Sequence, residues 1–185
     1  MTKTEHIILV NHQDQETGTM EKLEAHREGK LHRAFSVLIF NSQDELMLQK
    51  RADSKYHCGG MWTNACDGHP RPGEDIKAAA RRRLQEELGF DCDLVEALRF
   101  TYWVELDHDL KEHEVDHVLI GRFDGEPSPD PAEASDWKWI GWEALEQDLE
   151  DCFDDYAAWS KIAFKYRAQI EPKLAELPKS GDLGS

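Results

Sequence analysis

The sequence predicts an α/β sandwich, a mixed β-sheet with helices packed on its faces. Short runs rich in β-branched and aromatic residues recur between residues 6 and 142 and read as strands. Helical stretches fall among and after them, at 76–88 and beyond 145. The two kinds of element do not alternate in a strict βαβ order, so a doubly wound parallel sheet is disfavoured.

The elements follow in chain order. Residues 6–10 (HIILV) are a short apolar run, expected as an edge strand, and 12–19 read as a turn. Residues 19–28 are charged, lack a broad apolar face and end at Gly29. Residues 34–40 (AFSVLIF) predict a buried strand. The turn at 41–44 (NSQD) returns the chain along 45–51 as a hairpin partner. Residues 53–74 form a long loop dense in Gly, Pro, His, Cys, Asp and Trp, and a loop of that length in a compact domain is usually functional. Residues 76–88 predict a helix favoured by Ala78, Ala79, Ala80, Leu84 and Leu88, with Gly89 as its terminator. Strands are expected at 99–106 and 115–123, around an acidic loop, with a Pro-rich rigid connector at 126–131. Residues 137–142 (WKWIGW) alternate as a strand. Helices are expected at 145–149 and 156–174, the second amphipathic through Trp159, Ile162, Ala163, Tyr166 and Ile170. Residues 1–176 thus read as a single domain and 177–185 as a flexible tail, with no internal repeat.

Composition narrows the partners. The chain has 185 residues, with 22 Lys and Arg against 38 Asp and Glu, a formal charge of −16. That field repels nucleic acid backbones and anionic lipid. Any phosphate-bearing substrate therefore needs local cations or a bound metal. The four cysteines form no C-x-x-C pair, and neither a signal-peptide pattern nor an apolar stretch near the ~20 residues of a membrane span occurs. The expectation is a cytoplasmic protein with reduced thiols, a monomer or weak homodimer, with no nucleic acid or membrane partner.

From Gly68 the chain reads GHPRPGEDIKAAARRRLQEELGF. This resembles the Nudix box, G-x5-E-x7-R-E-U-x-E-E-x-G-U, where U is apolar. Gly68, Glu74, Arg82, Leu84, Glu86, Glu87, Gly89 and Phe90 fit the pattern, and Arg83 stands where the box has Glu. Glu86 and Glu87 lie on the last turns of the helix, one turn after Arg82 and Arg83. Carboxylates grouped in this way can hold Mg²⁺ against a diphosphate, because Mg²⁺ takes oxygen ligands from protein and substrate together. The same residues also suit an ordinary solvated helix laced with ion pairs.

A second set of residues surrounds the box. His26 and His32 flank Gly29, WTNACDGHP occupies 62–70, and Glu112-His113-Glu114 opens a later strand. Residues two apart on a strand share a face, so Glu112 and Glu114 point together. Three imidazoles with two carboxylates suit Zn²⁺ or Mn²⁺. Together with EHIILVN, GTMEK, LHRAFS and E-x-E-V, these segments resemble type I isopentenyl diphosphate isomerase, a branch of the Nudix superfamily, from about residue 5 to residue 165.

The resemblance implies a Nudix-type α/β/α sandwich with a mixed β-sheet. It implies conversion of isopentenyl diphosphate to dimethylallyl diphosphate by protonation of the alkene and deprotonation of the neighbouring carbon. It assigns His26, His32, His69, Glu112 and Glu114 to a metal site, and Glu114 with Tyr102 to acid chemistry. Glu87 would hold a second metal, Mg²⁺, at the diphosphate. Lys22, Arg51, Lys55 and Arg83 would surround that diphosphate, and Trp159 would face the reacting carbons. His12, His57, His108, His113 and His117 receive no role.

The family's catalytic cysteine position holds Asp67 here. Cys66 is adjacent, but a one-residue shift in extended chain points a side chain to the opposite face. Asp67 can serve as a base or as a metal ligand. Glu86 is a hydrolase-type residue, and with Glu87, Asp67 and the missing cysteine it keeps two other readings beside the isomerase. One is a Nudix diphosphohydrolase acting on an isoprenoid or nucleoside diphosphate; the other is a non-catalytic diphosphate-binding paralogue.

Overall fold

The computed structural model describes residues 4–55 and 57–179. Among them are nine strands: β1 (His6–Val10), β2 (Glu16–Glu21), β3 (His32–Phe40), β4 (Leu46–Arg51), β5 (Trp62–Asn64), β6 (Cys66–Gly68), β7 (Leu94–Glu105), β8 (Lys111–Arg122) and β9 (Ala134–Ile140). The helices are α1 (Lys22–Glu28), α2 (Ile76–Leu88), α3 (Trp142–Asp151), α4 (Ala158–Phe164) and α5 (Arg167–Ala175), with a 3-10 turn at Phe153–Asp155. None is long and apolar enough to cross a membrane.

β3 organises the sheet. It runs parallel to β8 along its whole length, from His32 opposite Glu114 to Phe40 opposite Arg122. It pairs antiparallel with β6 through residues 35–37, and it meets β1 and β4 at its two ends. β7 lies beyond β8, while β5 and β9 flank β4. β3 reads as a nearly continuous apolar run because both of its faces are covered. Phe35, Val37 and Ile39 pack with Ala79, Ala80, Leu84 and Leu88 of α2. Leu38 and Phe40 pack on the other side with Trp142, Leu145, Phe164, Ile170 and Leu174 of α3, α4 and α5. The result is the expected α/β/α sandwich with a mixed sheet.

Several boundaries differ from the sequence expectation. β1 is not an edge, because residues 16–21 form β2 beside it and leave only a tight turn around Asp14 (φ 62°). The long loop at 53–74 contains β5 and β6. β7 and β8 begin earlier than expected, so only residues 106–110 separate them. The helix expected over 156–174 breaks at Tyr166 (φ −91°, ψ 16°), whose ring stacks on Phe100 of β7 at 4.6 Å. Within the expected tail at 177–185, Leu177 packs on the core and Lys179 pairs with Asp44, while residues 180–185 lie outside the described residues.

Candidate active site

The sheet brings five predicted ligands together. Gly29 ends α1 in left-handed geometry (φ 64°), and a Cβ there would lie 2.5 Å from the Trp103 ring. The reversal it permits carries the chain from His26 on α1 to His32 at the start of β3, with ring centroids 4.7 Å apart. The parallel register places Glu114 beside His32, and alternation puts Glu112 on the same face. His69 follows β6, which β3 also holds. All five side chains are buried, and one ligand atom from each lies within 4.8 Å of the others.

The chemistry of this cluster fits a cation. His26 and His32 donate Nδ1–H to the carbonyls of Lys22 and Lys30, both at 2.7 Å. In the neutral tautomers this leaves their Nε2 lone pairs facing inward. His32 Nε2 lies 3.2 Å from His69 Nε2 and from Glu114 Oε1, and the last two are 3.0 Å apart. Three acceptor-type atoms so close call for a shared positive charge. The His69 Nδ1 is buried without a partner. Burial pushes the His69 imidazole well below its usual range, towards the neutral form a ligand requires. At Glu114 burial acts upward, but the bonds from His32, Glu112 and Tyr102 prevail and hold its carboxyl near 2. Tyr102 donates to Glu114 Oε2 at 2.7 Å. For Glu112, burial and the Glu114 charge push the carboxyl up.

A cavity of about 110 Å³ opens beside the cluster, with Glu112, Glu114 and Tyr102 on one wall and Asp67 and Trp159 also lining it. Three donors converge on Asp67: Asn64 Nδ2 at 2.7 Å, Trp159 Nε1 at 2.8 Å and Thr63 Oγ1 at 3.0 Å. Burial raises its pKa to about 7 against the lowering effect of those bonds. Cys66 points away from this cavity into the core under α2, 3.6 Å from Glu87 Oε1. The alternation of β6 thus excludes Cys66 from the Asp67 position.

The α2 side supplies charge. Arg83 reaches Glu87 at 2.5 Å and Glu86 at 2.7 Å. Gln49 Nε2 donates to the other Glu87 oxygen at 2.9 Å. Glu87 and Glu86 part company here, with 6% of the Glu87 side chain exposed against 41% for Glu86. Glu86 does not line the cavity; it pairs with Arg82 and Arg83 on the outer face of α2. Glu87 lines the cavity but stands apart from the His/Glu cluster. Lys22, Arg51, Lys55 and Arg83 all reach the cavity, and the Arg51 guanidinium sits 5.2 Å from the Trp159 ring centre.

Cavity residues outside the predicted site include Phe35, Ser36, Glu133 and His57, the last of which the sequence reading gives no role. His57 meets the Trp159 ring edge-on at 5.6 Å, and burial with the Arg51 charge lowers its pKa to about 4. Glu133 pairs with Lys55 and lies 3.5 Å from Arg83. Lone residues in loops carry no periodic signal, although Glu133 closely follows the Pro-rich connector at 126–131.

Comparison with known proteins places this geometry in a family. Residues 30–159 match the NUDIX domain. The chain is 50% identical over 153 residues to "Isopentenyl-diphosphate Delta-isomerase 1" of Aromatoleum aromaticum, covering 83% of this chain and 86% of that one. It is 47% identical over 155 residues to "Isopentenyl-diphosphate Delta-isomerase" of Serratia proteamaculans, covering 84% and 87%. Among solved structures, DR0079 from Deinococcus radiodurans superposes with a TM-score of 0.68 at 23% identity, over 80% of this chain and 90% of that one. MutT protein from Methanosarcina mazei superposes with a TM-score of 0.60 at 21% identity, over 77% and 96%. The structural likenesses speak for the fold; the sequence identities go further, and the chain belongs to the isopentenyl-diphosphate Delta-isomerase family of NUDIX-domain proteins.

Proposed function

We propose that the protein is a metal-dependent isomerase that interconverts isopentenyl diphosphate and dimethylallyl diphosphate. The observation that carries this reading is one small cavity holding two separate proton-handling groups, the Tyr102–Glu114 pair and Asp67. Identity of 47–50% to relatives named as such isomerases supports it.

The reaction adds one proton to the terminal alkene carbon and removes one from the neighbouring methylene, so none is gained or lost overall. The Tyr102–Glu114 pair supplies the first, from the hydrogen held between Tyr102 Oη and Glu114 Oε2. The Asp67 carboxylate takes the second, with its oxygens held by Asn64, Thr63 and Trp159. The intermediate has carbocation character, and the aromatic side chains of Phe35 and Trp159 in the cavity lining favour it while limiting water.

His26, His32, His69, Glu112 and Glu114 would hold Mn²⁺ or Zn²⁺, which suit mixed imidazole and carboxylate ligands. A dication there supplies fixed positive charge beside the acid pair. Glu87 would hold Mg²⁺ at the diphosphate, among Lys22, Arg51, Lys55 and Arg83. Glu86, paired with Arg82 and Arg83 outside the cavity, has no place in this scheme. The partner is thus a small-molecule diphosphate. A cytoplasmic monomer or weak homodimer without nucleic acid or membrane contacts accords with the −16 charge.

Incubation with isopentenyl diphosphate, Mg²⁺ and Mn²⁺ in deuterated water, followed by ¹H and ³¹P NMR, tests the reading. The expected result is deuterium in the five-carbon chain with the diphosphate intact. Release of monophosphate or phosphate would establish a hydrolase instead, and unchanged spectra would overturn turnover of this substrate.

A further inference from the structure

The cations of the α2 wall are already paired. Lys55 is bonded to Glu133, and Arg83 contacts Glu133, Glu86 and Glu87. Two cations therefore face three carboxylates before any substrate enters. A diphosphate brings further negative charge, so to reach Lys55 and Arg83 without a metal it must break these pairs and leave Glu87 and Glu133 beside its own oxygens.

Glu133 is also held firmly from behind. Its carbonyl accepts from Ala52 N at 2.9 Å, and its own N–H donates to Asp130 O at 2.8 Å. The connector before it docks on the end of α2, with Asp130 N bonded to Glu87 O at 2.9 Å and Ser128 N to Leu88 O at 2.8 Å. The Glu133 side chain is thus delivered to Lys55 and Arg83 by a braced segment, while 23% of it stays exposed at the cavity.

We infer that Glu133 is a specificity-determining counter-ion that makes diphosphate binding conditional on a divalent metal, by occupying Lys55 and Arg83 until a dication offsets the carboxylates. The inference rests on the diphosphate reading above. With Mg²⁺, Glu87 and Glu133 face a positive charge shared with the diphosphate, and Lys55 and Arg83 are released to the phosphate oxygens. Without it, they stay committed to Glu133.

The test is calorimetric titration of inorganic pyrophosphate at pH 8 into metal-depleted protein, with and without added Mg²⁺. Wild type is expected to bind at least 100-fold more tightly with Mg²⁺. Glu133→Gln, nearly identical in shape, is expected to narrow that gap at least tenfold by gaining metal-free affinity. Glu133→Asp keeps the charge and is expected to keep the gap. Equal weakening in both buffers would show a merely structural role and overturn the inference while leaving the diphosphate site in place. No wild-type binding even with Mg²⁺ would overturn the diphosphate site itself, and the inference with it.

Discussion

At position 67 three donors meet one carboxylate, and the balance between burial and those bonds sets what the group can do. Burial prevails and places Asp67 near pH 7 in the free protein, where it exchanges a proton readily. The base form is the deprotonated one, so kcat/KM should rise with pH and level off above about 7; a profile flat from pH 5 to 8 would remove Asp67 as the base. Asp67→Asn keeps the shape and discards the proton acceptor. It should lower kcat by about 100-fold or more with little change in KM, the usual scale for a general base. Across the cavity, Tyr102→Phe removes the donor to Glu114 Oε2 and strands a buried acceptor. That hydrogen is the proton the reaction consumes, so kcat should fall by about 100-fold or more, the usual scale for a general acid, measurable by radiometric assay. These residues entered the sequence reading through the resemblance to the isomerases, whose motif positions they occupy. The difference between Glu86 and Glu87 was not legible there. Neighbours on a helix point about 100° apart, and only the packing of α2 on the sheet decides which of them turns inward to Gln49.

α2 is the element whose sequence and structure agree most closely, since Asp75 caps one end by accepting from Ala78 N and Gly89 closes the other. β5 and β6 went unread because three residues are too few to show a period of two, and their pairing comes from β4 and β3. The break between α4 and α5 was equally hidden, because the apolar spacing runs on through Tyr166 and only its stacking on Phe100 marks the bend. The end of α2 carries more than a helix stop. Gly89 has φ 74°, and a Cβ there would lie 2.8 Å from the Ser128 carbonyl oxygen of the docked connector. Gly89→Ala therefore meets both left-handed strain and a backbone clash, at a cost of about 1–3 kcal/mol. Calorimetry should show a fall in Tm of about 2–12 °C, given roughly 2–4 °C per kcal/mol at this chain length. An unchanged Tm would mean that neither the left-handed backbone nor the docked connector resists a Cβ at this position.

Across the whole molecule, the five ligands come from α1, β3, the turn after β6 and β8, so the cluster ties the N-terminal part of the chain to the centre of the sheet. Two buried carboxylates and three imidazoles form a poor substitute for a bound ion, in a chain already at −16. A cation that binds this native constellation stabilises the fold by RT ln(1 + [L]/Kd), about 2.7 kcal/mol at 100 times Kd. Removal of metal by chelation and dialysis should then lower Tm by about 5–11 °C, and returning Mn²⁺ or Zn²⁺ should restore it. The sign follows from where the ligands lie: the unfolded chain scatters four separate elements and cannot offer them together, so metal affinity accrues almost wholly to the folded state. His32→Ala removes a ligand from the heart of the cluster and should abolish the metal-dependent part of Tm, whatever it does to the baseline. A Tm that ignores chelation in wild type would mean that these side chains carry no tightly bound ion. The acid pair at Glu114 would then have to work without that charge beside it.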